Sequence, residues 1–146
     1  MLETSSITTV AHVIELAVAP VFLLSGIGAM LAVMTNRLSR IVDRARRVEA
    51  RLGGDGDEDP SIRAELRVLV RRARLISLSI GLCTSTALLI SGVIVSLFLS
   101  AFLRFDAALL VSLLFIAAML AFIVALLCFL REVLLATAGL RFGRPG

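Results

Sequence analysis

Lysine, tryptophan and tyrosine are absent from this 146-residue chain, and only 18% of its residues carry a charge. All fifteen basic positions are therefore Arg, set against eleven acidic residues for a formal net charge of +4. Hydrophobic residues make up 59%, above the roughly 45–50% usual in soluble domains, and this excludes a soluble enzyme. Cysteine is scarce: Cys83 and Cys128 lack metal-ligand spacing and read as small apolar residues in a reducing environment, so no metal and no cofactor are expected. No nucleophile–base pair, no Gly-rich phosphate loop and no repeated halves occur, which argues against both catalysis and a repeat-built transporter. No segment alternates apolar with polar residues, so a membrane β-barrel is excluded. The length allows one domain.

What is present is long apolar helix. A span needs roughly 20 apolar residues to cross about 30 Å of hydrocarbon. Three stretches qualify, apolar around their whole circumference. The expected fold class is an all-α integral membrane protein with three transmembrane helices, at residues 10–36, 77–103 and 107–131. Residues 1–9 form an outer N-terminus, 104–106 an outer turn and 132–146 a cytoplasmic tail. Eleven of the Arg lie between spans one and two, and Arg131, Arg141 and Arg144 follow span three, while only Arg104 lies on the opposite side. The positive-inside rule then places the N-terminus outside and the C-terminus in the cytoplasm. The segment before residue 10 has no basic residue, so span one is expected to be retained and not cleaved as a signal peptide.

Residues 37–76 are predicted to form a cytoplasmic antiparallel helical hairpin that continues spans one and two. Leu38, Ile41, Ala45, Val48 and Leu52 recur by threes and fours, and so do Ile62, Leu66, Leu69, Ala73 and Ile76. That spacing is an a/d seam. The Gly- and Asp-rich loop at 53–60 separates the arms, each projecting roughly 22 Å at 1.5 Å per residue. Asp55, Asp57 and Asp59 imitate the start of a calcium loop, but Pro60 and Leu66 stand where Gly and Glu are required, and the segment reads as a solubilising turn.

Arg37, Arg40, Arg44, Arg47 and Arg51 form a basic face beside the first seam, and Arg63, Arg67, Arg71 and Arg74 one beside the second. Such stripes serve as solvated positive-inside flanks or as a field for anionic lipid headgroups. Without interleaved aromatics, nucleic acid is not an expected partner.

Within the spans, His12 and Glu15 share one face of span one, near its outer end. Either they reach the outer interface, or they face a bundle or pore in which Phe22 contributes to an apolar constriction. Pro20 makes a kink plausible there. Gly81 and Ser85, Gly92 and Ser96, and Ala117, Ala121 and Ala125 place small residues at every fourth position, suited to close helix packing and a homo-oligomer.

The run Thr35-Asn36-Arg37-Leu38-Ser39-Arg40-Ile41-Val42-Asp43-Arg44-Ala45-Arg46 resembles a bacterial family of small membrane proteins called domain of unknown function 2721. Its members are similar in length, spans and the charged segment after span one. The resemblance implies a bacterial inner-membrane location and supplies no activity. Two functional classes stay open: a small homo-oligomeric ion channel with a pore lined by span one, or a non-conducting scaffold or sensor. In the second, the Arg-striped hairpin binds a partner or anionic lipid. Neither is an enzyme.

Overall fold

The structure, a computed structural model, describes residues 2–52, 60–103 and 106–141. It is all-helical there: α1 (Leu2–Leu52), α2 (Pro60–Leu103) and α3 (Ala108–Arg141). All three are long and apolar enough to cross a membrane. At 1.5 Å per residue, α1 and α2 reach roughly 76 and 66 Å, well beyond the roughly 40–45 Å of a whole bilayer. The acidic loop expected at 53–60 and the turn Arg104 lie outside the described residues, apart from Pro60, the first residue of α2. Proline is at home there, because the first helical N–H has no intrahelical acceptor.

Each helix contributes to two compact units, one of Met1–Leu31 with Leu82–Ile123 and one of Ala32–Gly81 with Val124–Gly146. In the first unit, α1 buries Val13, Ala17 and Ile27, α2 buries Cys83, Ile90 and Val93, and α3 buries Ala118. Ala17, Cys83 and Ala118 are small side chains among these buried positions. The Thr86 hydroxyl donates to the Leu82 carbonyl at 2.9 Å and lies 3.4 Å from the Ala118 carbonyl on α3. α1 runs through Pro20 as one continuous helix, so the kink made plausible by that residue leaves no break in it. α3 begins where the Asp106 carboxylate accepts the Ala108 N–H at 2.9 Å, an N-cap that satisfies one orphan donor.

In the second unit a hydrophobic cluster of Ile41, Val48, Leu69 and Ile76 is flanked by Leu38, Ala45, Ile62, Leu66, Ala73 and Ile80. These are the positions picked out by the three–four spacing, extended by Ile80. Leu52 falls among residues whose side chains are not described. Seven-residue steps from Ile41 to Val48 and from Leu69 to Ile76 keep one stripe of each helix facing the other.

Candidate functional site

The charged chemistry of the second unit is sorted by the seam. With the apolar stripes turned inward, the arginines beside them take three different environments.

The deepest is centred on Glu132 of α3, whose side chain is fully buried. Its Oε1 accepts from Arg72 Nε at 3.1 Å and from Arg72 Nη2 at 2.9 Å. Its Oε2 lies 3.1 Å from Arg37 Nη2, an ion-pair contact and not a hydrogen bond. Arg37 also sits over the Phe129 ring, 5.5 Å from its centroid, where the ring face attracts the cation. A carboxylate out of water is tolerated only when paired, and here two cations from two helices meet one anion from a third. Arg37 closely follows the apolar stretch of α1, Arg72 precedes that of α2 and Glu132 closely follows that of α3. The cluster therefore ties the three helices at the level where the apolar stretches end.

The second environment is an exposed pair, Arg44 and Glu65, with Arg44 Nε and Nη2 at 3.2 and 2.8 Å from Glu65 Oε1. Arg44 follows Arg37 by seven residues, and Glu65 precedes Arg72 by seven. That reciprocal step is the register of two antiparallel helices meeting on a heptad seam.

The third environment comprises two open clefts. One, of 430 Å³, is lined by Arg40, Asp43, Arg44, Arg47, Val48, Arg51 and Glu65. The other, of 420 Å³, is lined by Arg63, Leu66, Arg67, Val70, Arg71 and Arg74, with no acidic residue among the described ones. Among the described residues, no carboxylate lies within ion-pair distance of Arg67, Arg71 or Arg74. The basic face proposed on α1 is thus split: Arg37 turns to Glu132, Arg44 to Glu65, and Arg40, Arg47 and Arg51 line the first cleft.

In the first unit, His12 Nδ1 is 3.9 Å from Glu15 Oε2, both side chains largely exposed. Phe22 is 76% exposed. Glu15 and Phe22 are seven residues apart and share a face of α1 opposite Val13, Ala17 and Ile27. Of the small-residue positions, Gly81, Ser85 and Ala117 are exposed, Gly92 and Ala121 half-buried, and Ser96 and Ala125 buried. An added Cβ would meet nothing within 4 Å at Gly81, and at Gly92 only Leu114 Cδ1 at 3.8 Å. Neither glycine marks a close backbone approach within the chain. Among the described residues no group of three or more His, Cys, Asp or Glu could hold a metal ion.

Arg72, Phe129 and Glu132 escaped the sequence reading. The signal for Glu132 was there: it is the only acidic residue after Asp106. A lone acid beside Arg131 at a helix exit looks like ordinary flanking polarity, and nothing local points to a partner sixty residues away.

Comparison with known families gives a match over residues 17–142 to the model of a family described as "Protein of unknown function (DUF2721)". No curated protein and no solved structure matches the chain.

Proposed function

This chain belongs to the DUF2721 family, and from that premise we propose that it is a non-catalytic scaffold of the bacterial inner membrane whose Arg-rich helical hairpin binds anionic lipid headgroups. On this reading the hairpin faces the cytoplasm, the N-terminus lies outside and the C-terminus inside, as the positive-inside rule directs. The observation that carries it is the group of exposed arginines Arg67, Arg71 and Arg74 on α2, with no acid within ion-pair distance among the described residues, next to an apolar stretch long enough to span. Guanidinium groups at a membrane surface attract anionic headgroups with about 1 kcal/mol each.

The test is energy transfer from a donor on the hairpin, attached through Ala64→Cys, to acceptor-labelled lipids in vesicles. Acceptor phosphatidylglycerol should be enriched over acceptor phosphatidylcholine, and high salt should reduce the enrichment. Equal transfer to both lipids would reject the proposal.

A second reading is favoured by one observation. Glu15 and Phe22 project from the face of α1 that the first unit leaves uncovered. In a homo-oligomer with that face on the axis, Glu15 would ring the mouth of an ion-conducting pore and Phe22 would narrow it. Single-channel recording decides: Glu15→Gln should alter conductance or selectivity, and unchanged currents would remove Glu15 from any pore.

A further inference from the structure

The two basic clefts of the hairpin differ in ways that bear on what each can hold. In the α1-side cleft, Arg44 already donates to Glu65, and Asp43 and Glu65 both line the walls. An incoming anion would meet two carboxylates there. Among the described residues the α2-side cleft holds no carboxylate, and the exposed guanidiniums of Arg67, Arg71 and Arg74 stand around Val70, itself 42% exposed. Planar guanidinium forks match phosphate oxygens in geometry as well as charge.

The same helix face then changes character. Steps of four, three, four and three lead from Arg67 through Arg71 and Arg74 to Leu78 and Gly81, so all five lie on one stripe. Leu78 is 53% exposed, and a Cβ added at Gly81 would meet nothing within 4 Å beyond its own helix turn. Arg74 lies one turn, roughly 6 Å, from Leu78, and Arg67 lies roughly 10 Å beyond Arg74. Those lengths suit flexible Arg side chains gathering at a headgroup layer, with hydrocarbon alongside Leu78 and Gly81. A free inorganic anion would use only the basic half of this stripe. An amphiphile with a phosphate head and an acyl tail would use all of it.

We infer that Arg67, Arg71 and Arg74, with Leu78 and Gly81 below them, form a discrete binding site for one anionic phospholipid. The inference rests on the headgroup-binding reading above and adds to it a defined location and stoichiometry.

Native mass spectrometry of the full chain, released from detergent with added lipid, tests it. Wild type should retain one phosphatidylglycerol per chain in preference to phosphatidylcholine. The triple variant Arg67→Gln, Arg71→Gln, Arg74→Gln should weaken that retention by on the order of a hundredfold. The matched triple Arg40→Gln, Arg47→Gln, Arg51→Gln on the other cleft should weaken it by less than about threefold. Val70→Glu keeps every arginine but sets a carboxylate among them, and should also weaken retention, which guards against misfolding of the triple variant. If both triples weaken binding equally, the discrete site is overturned while headgroup attraction by the hairpin stands. If inorganic phosphate displaces the lipid at equal concentration, a small anion and not a lipid is the ligand. If wild type shows no preference for phosphatidylglycerol, the headgroup reading itself fails.

Discussion

Glu132 of α3 and Arg72 of α2 lie 60 residues apart in the chain and are joined by two hydrogen bonds to a single carboxylate oxygen. With Arg37 against the other oxygen, every helix supplies one charged group to the same point. Replacing such a cluster by apolar groups of similar size is often harmless, whereas removing one member strands the others. The three groups are best understood as fixing which positions of the three helices align, since an apolar surface in lipid specifies register only loosely.

Glu132→Ala should therefore destabilise the protein by about 3 kcal/mol, the lower end of the range for broken buried pairs, because Arg37 and Arg72 are partly exposed and can turn toward water. Thermal unfolding in detergent measures it. The double variant Arg72→Met, Glu132→Met should recover most of the loss, and a loss below about 0.5 kcal/mol for Glu132→Ala would mean that the cluster contributes little.

Glu65→Gln should cost no more than about 1 kcal/mol, and raised salt should abolish the difference, because Arg44 is well exposed and Glu65 half-exposed. The same measurement on both carboxylates separates a buried pair from a surface one. A Glu65 effect as large as that of Glu132 would contradict the burial assigned to each.

Leu69→Ala should destabilise the hairpin by about 2–4 kcal/mol, since Leu69 is 3% exposed within the seam cluster. Its neighbour Val68, 53% exposed, should tolerate Ala to within about 0.5 kcal/mol. Backbone amide exchange across residues 60–76 should quicken in the first variant and not in the second. Equal protection in both would show that the seam is not the core of the hairpin.

These contrasts mark what the sequence made legible. The hairpin seam was readable because Leu38, Ile41, Ala45 and Val48 recur at a helical period, and burial on a helix is a local, periodic demand. Arg37 was readable as basic but not as the partner of a buried acid. Its environment depends on Glu132, and no periodicity links the first helix to the third. The hydroxyls of Ser79 and Thr86 donate to the Leu75 and Leu82 carbonyls, each at 2.9 Å, a bond that such residues make locally within a helix. That they are fully buried follows from which face of α2 turns inward, a choice made by partners distant in sequence.

In a background lacking Cys83 and Cys128, Phe22→Cys should form disulfide-linked dimers in membranes if the uncovered face of α1 meets a second copy. Ile27→Cys, fully buried in the chain, should not. Failure of Phe22→Cys to cross-link would count against span one as an oligomer axis.

The reciprocal seven-residue step between the arms of the hairpin makes its length adjustable only in quanta. Excising residues 38–44 together with residues 65–71 removes one matched heptad from each arm. Ala45, Val48 and Ile62 then drop into vacated seam positions, and Arg37, Arg72 and Glu132 keep their places. Each arm would shorten by roughly 10 Å without disturbing the knot at its base. Excising either segment alone would bring arms of unequal length together, leaving a heptad of seam on one arm with nothing opposite. The pair of arms is in this sense a ruler with one graduation per heptad.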